Sequence, residues 1–472
     1  MKLHQSVIFI VAIIAMLATL CVIFPQPMVK IGAVSLRFPS IEKMTDLSSS
    51  DTLRTAEQML LAAEKAVVMQ NVDSATQAQA DSMAFYKLFF AQSPMRIACP
   101  KDNPEYLFPL FEALDNAKQK GVHIMHYGDS QIEGDRISGY LRTTLQKEFG
   151  GTGPGFIPVY QPISAMNVQQ TTTDSVSMYY AGGMIGGRAQ HNRYGAMAQV
   201  AQLNVTDTLG ISIKSYKGHD ISQLTIFAGN IDSVFSFTAG GKELKFAPTQ
   251  KMTKQKIDYK NSVSSINAQM YGSAEVYGLY LSGNNGVNVS NIPLRGSDGT
   301  FFSRIESDAF KNMLSAVNTR LIIMEFGGNA LPVLNDTTTA DRWCKSFRKQ
   351  VEHVRRLVPN ALVLVIGPAD MSVKTEGELH THAMLPYLTQ KMREEVTAGG
   401  GAFWDMYAVM GGEQSMIAWV NHSPAWAAPD YIHFTRKGAN RISEVLCEAL
   451  KTYYDYRKFL QQTKKTKCSK KH

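Results

Sequence analysis

Cysteine is scarce in this chain of 472 residues, and charged residues are also few. The five cysteines stand far apart, which argues against both a disulfide framework and a Cys-x-x-Cys metal site. Only 19% of the residues are charged, whereas 44% are hydrophobic and 10% are aromatic. This balance excludes a disordered or collagen-like chain and indicates a globular protein with a sizeable core. At this length we expect roughly two or three folded units.

Acidic residues are missing from the C-terminus. The last 16 residues, 457–472, hold seven of the 48 Lys and Arg residues and no acid, so the remainder has 41 basic and 40 acidic residues. The net charge of +8 therefore comes from a tail, and the near-neutral body argues against nucleic acid as a partner. We interpret 456–472 as a solvated basic tail, with contact to anionic lipid or glycan as the alternative.

Charge is also absent from residues 7–24, an apolar run of 18 residues that is long enough to span a bilayer core. The residues that end this run, Ile-Phe-Pro-Gln at 23–26, make a poor cleavage site. We therefore predict an uncleaved signal-anchor over 1–30, a transmembrane helix that leaves the rest of the chain outside. The alternatives are a cleaved signal of a secreted protein, a lipoprotein anchored at Cys21, and a buried core helix.

Residues 31–100 follow as a linker and a helical stalk. Prolines and a Ser-rich run mark 25–50 as the linker, and apolar spacing predicts helix within 52–95. In 101–156, a short strand at 122–127 runs into Gly128, Asp129 and Ser130, after which apolar residues recur every four positions. A strand, a tight turn and a helix in this order predict an α/β domain.

The pattern changes over 157–290, where short alternating stretches are separated by Gly, Asn and Asp. This texture predicts a β-rich, sandwich-like insert. The α/β pattern returns over 291–455, with strands predicted at 321–326 and 361–366 and helices at 341–358, 381–396 and 436–454. The chain thus reads as one α/β domain, 101–156 and 291–455, interrupted by an insert.

Two candidate catalytic groups directly follow predicted strands. Ser130 stands after the first strand and at the start of a helix, which places it at the carboxyl edge of the sheet, where open α/β sheets bind ligands. Backbone N–H groups at a helix start favour negative charge, as an oxyanion beside a nucleophile requires. Asn329 follows strand 321–326, where its amide is well placed to donate to that oxyanion.

Asp430 and His433 form the third candidate element, in a turn before the closing helix. Histidine serves a serine nucleophile as general base, and an acid holds its tautomer. Each motif alone is weak evidence, since Gly-Asp-Ser is more often a turn and Asp-x-x-His more often a helix cap. Their order along the chain and their positions at strand ends or in loops together indicate a serine nucleophile with a His–Asp pair.

These motifs resemble those of the SGNH (GDSL-type) hydrolases. The family's first block corresponds to Gly128-Asp129-Ser130, its third to Gly327-Gly328-Asn329, and its last to Asp430 and His433. Its second block supplies a glycine to the oxyanion hole, for which Gly296 is the best match and Gly299 the alternative. Ala330 replaces the acid usual after the third block, a departure that concerns loop geometry.

The resemblance implies a three-layer, flavodoxin-like hydrolase domain with a parallel sheet. The catalytic residues would be Ser130, His433 and Asp430, with Ser130, Gly296 and Asn329 as the oxyanion hole. No metal or organic cofactor is implied. The set is similar to bacterial envelope members that act on O-acetyl groups of polysaccharide or peptidoglycan. A carbohydrate ester is therefore the expected substrate, on the periplasmic side of the inner membrane.

Several other functions stay open at this point. The same site could transfer acyl groups to a glycan, or the protein could be a non-catalytic carbohydrate-binding protein with a vestigial site. A lipid esterase or thioesterase would need a deep apolar pocket beside Ser130. Glu133 and Asp135 could form a glycosidase carboxylate pair, but we expect them to favour the helix start. His123 and His126 are expected to be buried and hydrogen-bonded rather than metal ligands.

Overall fold

The computed structural model describes residues 28–31, 34–37, 75–184, 186–216 and 220–469. The chain divides into two compact units, 1–60 and 61–472. In the first unit, strands β1 (Met28–Ile31) and β2 (Val34–Arg37) form an antiparallel hairpin within the predicted linker. Residues 7–24, predicted as a signal-anchor, lie outside the described residues. No helix in the described part of the chain is both long and apolar enough to cross a membrane.

The second unit contains a six-stranded sheet in the order β14-β4-β15-β16-β19-β3. Its first five strands are parallel and β3 is antiparallel. In chain order the parallel strands occupy positions 2-1-3-4-5, the flavodoxin-like arrangement. The predicted parallel α/β sheet is therefore confirmed. The strands are β3 (Ile97–Ala98), β4 (Val122–Gly128), β14 (Val287–Pro293), β15 (Thr319–Glu325), β16 (Leu362–Ile366) and β19 (Ala402–Trp404).

Helices cover both faces of this sheet, because side chains along each strand alternate between the two faces. Ile124 and Leu321 face a cavity lined by α2, α4 and α10, whereas Met125 and Ile322 join the core that includes α5, α6 and α7. The helices are α1 (Ala75–Gln92), α2 (Phe108–Asp115), α3 (Ala117–Lys120), α4 (Ser138–Phe149), α5 (Ser307–Ala316), α6 (Thr337–Leu357), α7 (Leu385–Ala398), α8 (Met406–Met410), α9 (Ser415–Asn421) and α10 (Arg436–Ser469).

Nine strands between β4 and β14 form one connected β-rich sheet, which confirms the β-rich character of the insert. The long strands β8 and β13 pair with each other, and β13 bends at bulges beside Gly272 and Gly278. The strands are β5 (Gly155–Ile157), β6 (Val168–Thr172), β7 (Ser177–Tyr180), β8 (Gln199–Ser215), β9 (Ile221–Gly229), β10 (Phe235–Ala239), β11 (Lys242–Phe246), β12 (Thr253–Val263) and β13 (Ser265–Ser282).

The insert is shorter than predicted at its C-terminal end. Strand β14 pairs with β4 over residues 287–293, so the α/β part resumes before residue 291. The break lies in the Gly-Asn-Asn-Gly turn at 283–286, where the chain leaves one sheet for the other. A two-stranded hairpin of β17 (Ser372–Thr375) and β18 (Glu378–Thr381) also precedes α7, which begins at Leu385 instead of the predicted 381.

The predicted solvated tail is helical up to Ser469, as a continuation of α10. Arg457 and Lys458 form ion pairs with Asp115 at 2.7 and 3.0 Å. The ring of the preceding residue, Tyr456, has its centroid 4.9 Å from that of Phe90 in α1. These contacts explain the extension, because the first basic residues of the tail have partners within the second unit.

Candidate active site

The side chain of Ser130 lies at the carboxyl edge of the parallel sheet. Strand β4 ends at Gly128, and Ser130 opens a 3-10 turn that runs to Asp135. The carboxylate of Asp129 caps this turn by accepting the Gln131 N–H at 2.9 Å. In this position the Ser130 hydroxyl lies 2.7 Å from Nε2 of His433, a residue 303 positions further along the chain. The structure thus brings the first and last sequence motifs together.

His433 in turn contacts Asp430 through its other ring nitrogen. Nδ1 lies 2.7 Å from Oδ2 of Asp430, whose Oδ1 accepts the backbone N–H groups of Ile432 and His433 at 3.0 Å each. Partial burial acts to raise the pKa of Asp430, but the donors from His433 and Ile432 outweigh it and lower the pKa below its usual value. Tyr431 adopts the left-handed conformation at φ 58°, which closes this turn.

Asn329 lines the same pocket as Ser130 and belongs to a 3-10 turn that follows β15 and begins at Gly328. Its amide donates to Oδ2 of Asp129 at 2.9 Å and to the carbonyl of Ser297 at 3.2 Å. Both of its N–H bonds therefore point at protein acceptors, and one must be released before Asn329 can donate to an oxyanion. Burial, and the nearby carboxylates Glu325 and Glu133, raise the pKa of Asp129 to about 7.

Gly296 follows β14 in the loop 294–297, which starts where the Leu294 N–H donates to the Gly128 carbonyl at 2.8 Å. Within the described residues, the backbone N–H groups of Gly296 and Ser130 have no protein acceptor. Free N–H groups in this place suit an oxyanion hole. The alternative, Gly299, fits less well, because its N–H already donates to the Ser297 hydroxyl at 3.2 Å.

Gln131 connects the nucleophile turn to the histidine turn, a role that sequence reasoning missed. Its amide nitrogen donates to the Ile432 carbonyl at 2.6 Å, and its amide oxygen accepts the Phe434 N–H at 3.3 Å. The two bonds flank His433 on either side. Arg136 adds a bond from its guanidinium to the Phe434 carbonyl at 3.0 Å and a second to the Ser130 carbonyl. Only a long-range contact reveals these roles, so a single sequence carries no sign of them.

The carboxylates after the nucleophile are engaged in ion pairs instead of forming a glycosidase pair. Glu133 accepts two bonds from Arg295, the residue before Gly296. Asp135 is buried and pairs with Arg142 of α4 at 2.5 Å. That both acids favour the helix start stays a prediction, to which the structure adds these ion pairs. Each has a cationic partner, and Glu133 ties the nucleophile turn to the Gly296 loop.

His123 and His126 are buried in β4 and hydrogen-bonded, as predicted. His123 contacts the hydroxyls of Ser290 and Thr319 at 2.7 and 2.8 Å, and burial lowers its pKa to about 3. His126 lies 3.0 Å from the Glu325 carboxylate. No group of three or more metal-ligating side chains occurs in the part of the chain that the structure describes.

A pocket of about 170 Å³ opens beside Ser130 and His433. One side is polar, with Asn329 and Asp129, and the other is apolar. The apolar lining comes from Phe326, Pro332, Pro368, Ala369, Met371 and Met406. Pockets that enclose whole ligands measure about 300–1,000 Å³. This pocket therefore suits a small group next to a hydroxyl nucleophile. The larger cavity between α2, α4 and α10, of about 220 Å³, shares no lining residue with it.

The chain thus combines an α/β fold of parallel strands with a serine, a histidine and an aspartate that are joined by hydrogen bonds at the sheet edge. Among solved structures, the chain is similar to a peptidoglycan O-acetylesterase, with a TM-score of 0.61, 21% identity, and coverage of 74% of this chain and 96% of that one. At this identity the likeness concerns the fold.

Two further solved structures match more weakly. A family two carbohydrate esterase from Cellvibrio japonicus gives a TM-score of 0.25 at 11% identity, over 61% of this chain and 98% of that one. The corresponding enzyme from Clostridium thermocellum, in complex with cellohexaose, gives 0.24 at 9% identity, over 58% and 98%. No family model and no curated protein matches the sequence.

Proposed function

We propose that this protein is a serine esterase that removes O-acetyl groups from carbohydrate, with Ser130 as nucleophile. The observation that carries the proposal is the chain of two 2.7 Å contacts from Ser130 Oγ to His433 Nε2 and from His433 Nδ1 to Asp430. The peptidoglycan O-acetylesterase that shares the fold adds support from the class of reaction it performs.

In this mechanism the Ser130 hydroxyl attacks the ester carbonyl and gives its proton to Nε2 of His433. Asp430 holds the Nδ1–H tautomer and stabilises the imidazolium that forms. The negative oxygen receives N–H bonds from Ser130 and Gly296, and from Asn329 once its bond to Ser297 is exchanged. His433 then protonates the departing sugar alcohol. Water attacks the acyl-enzyme by the reverse sequence and frees Ser130.

The size of the pocket favours a short acyl group. About 170 Å³ between the catalytic pair and an apolar wall leaves room for an acetyl group but not for a long acyl chain. The larger apolar cavity that a lipid esterase would use lies among helices and does not include Ser130. Both features support acetyl esters over lipids.

A series of p-nitrophenyl esters of increasing chain length tests the proposal directly. We expect the acetate to be hydrolysed best, and Ser130→Ala to lower the rate by about 10⁴-fold or more while the protein stays folded. Full activity of Ser130→Ala would contradict the assignment of the nucleophile. An oligosaccharide acceptor added to the same assay separates hydrolysis from transfer, since a transferase would yield acetylated acceptor instead of free acetate.

We further propose that the protein is held in the inner membrane of a bacterial envelope by residues 7–24, with its site in the periplasm. The support is the uncharged length of that run and the glycan-directed chemistry proposed for the site. Protease digestion of intact spheroplasts tests the topology. We expect the catalytic part to be degraded from outside, and its protection would contradict the proposed orientation.

A further inference from the structure

A loop of the insert contacts the loop that carries Gly296. The backbone N–H of Met184 donates to the Arg295 carbonyl at 2.7 Å. Gly183 packs so closely that a Cβ there would lie 2.6 Å from the same carbonyl, and its φ is +88°. Arg188 closes the insert loop by donating to the carbonyls of Tyr180 at 2.6 Å and Gly183 at 3.2 Å. The backbone of Met184 is therefore held in place by the α/β part.

The loop that Met184 contacts is itself anchored to the candidate active site. The Ser297 carbonyl accepts from the Asn329 amide at 3.2 Å, and Arg295 forms its double contact with Glu133 of the nucleophile turn. Contacts thus run without a break from the site pocket through Asn329 and the Gly296 loop to the insert. Met184 therefore directly contacts the loop that carries Gly296, an expected oxyanion donor.

The side chain of Met184 rests on Gly296 and otherwise faces solvent, with 84% of its surface exposed. A Cβ on Gly296 would lie 2.4 Å from Cγ and 2.6 Å from Sδ of Met184, so the two residues touch. Two more exposed apolar side chains lie at the pocket or directly follow one of its lining residues in the chain. Ile432 lines the pocket itself, and Val333 follows the lining residue Pro332.

We infer that Met184 is a substrate-contact residue by which the insert recognises the sugar that bears the ester. With the ester carbonyl at Gly296, the alcohol side of the substrate extends outward over the adjacent thioether. A methionine side chain is flexible and polarisable, so it can pack against the C–H face of a sugar ring. This inference rests on the proposed function and specifies which part of the substrate the insert binds.

The test uses the full chain and two acetate esters that differ in their alcohol. One is a fully O-acetylated disaccharide, and the other is ethyl acetate, whose alcohol is too short to reach Met184. Acetate release is followed for wild type, Met184→Ala, Met184→Gln and the control Val234→Ala. Val234 is also an exposed apolar residue of the insert, but its backbone lies beside Gly272 and it does not line the pocket at Ser130.

We expect Met184→Ala to raise KM for the disaccharide by about tenfold, the effect of losing one thioether side chain that the bound sugar would cover. Its kcat should stay within about threefold, and ethyl acetate hydrolysis and Val234→Ala should match wild type. Met184→Gln keeps the length but not the apolar character, so it should resemble Met184→Ala.

An equal loss on both esters would overturn the inference, because Met184 would then act only by supporting the Gly296 loop. Unchanged kinetics on both esters would overturn it as well. In either case the esterase proposal stands. If wild type released acetate from neither ester, the proposed function itself would be contradicted, together with the inference that rests on it.

Discussion

The α/β part and the β-rich insert differ in how they contribute to the site. The α/β part supplies every expected catalytic group from short motifs in its loops, whereas the insert supplies packing and one loop. Its strands have a core of their own, with Ile213, Ile226 and Phe237. On another side, Phe227 and Tyr280 pack into the core that also holds Met125 of β4. The insert is therefore not a detachable module, although the sequence pattern suggests one.

Paired core substitutions should give the largest effects that distinguish the insert from the α/β part. Phe227 and Phe237 are both fully buried, the first in the shared core and the second in the core of the insert. Each Phe→Ala change should lower the free energy of unfolding by about 3–5 kcal/mol. All four tryptophans lie in the α/β part, at 343, 404, 419 and 426, so their fluorescence reports that part alone.

For Phe227→Ala we expect the fluorescence midpoint in denaturant to fall together with the far-UV circular dichroism midpoint. For Phe237→Ala the dichroism should fall first, because the insert loosens while the tryptophans keep their environment. If the fluorescence and dichroism curves coincide for both variants, the two cores unfold together with the α/β part to the same degree, which would contradict the prediction.

The second prediction concerns Asn329, the expected oxyanion donor in a loop of the α/β part. Asn329→Ala and the isosteric Asn329→Asp should each lower kcat by about 100- to 1000-fold, since neither can donate to the oxyanion. The control is Asn267→Ala, an exposed asparagine of β13 in the insert. A loss seen only in KM would instead assign Asn329 to substrate binding.

Sequence motifs predicted the parts of the site that chemistry itself constrains. The sequence predicted Ser130, Asp430 and His433, which the structure brings together, because a nucleophile, a base and an acid would need particular residue types in loops. Gln131 and the Arg295–Glu133 pair could not be assigned in this way. Their roles depend on which loops meet at the sheet edge, and that follows from strand order and register instead of local pattern.

The same distinction explains the errors in the fold. The parallel sheet was predictable because buried strands are continuous apolar runs. The extension of α10 to Ser469 was not, because its last turns are polar and the partners Asp115 and Phe90 lie far away in sequence. The insert boundary failed for a related reason, since β14 alternates much as the insert strands do.

The third prediction tests whether support between loops matters for catalysis. Gln131→Ala removes both bonds that flank the His433 backbone, so we expect kcat to fall by about tenfold with KM nearly unchanged. Gln131→Glu keeps one acceptor but cannot donate to the Ile432 carbonyl, and it should recover little. The measurement is kcat and KM for each variant. An unchanged kcat for Gln131→Ala would mean that Asp430 and Arg136 position the imidazole without Gln131.

The smallest effect concerns the pH dependence of stability, through Asp129 in the α/β part. Its folded pKa of about 7 lies above the usual value of an aspartate, so between about pH 4 and 7 the folded state binds more protons than the unfolded state. Stability therefore falls as pH rises through this window, by about 1.4 kcal/mol per pH unit at most from this group. Asp129→Asn should show a shallower decline of unfolding free energy between pH 5 and 7. Asp232→Asn, at an exposed aspartate of the insert, should keep the slope of wild type. Equal slopes in all three proteins would mean that Asp129 is ionised throughout, held by its bonds from Gln131 and Asn329.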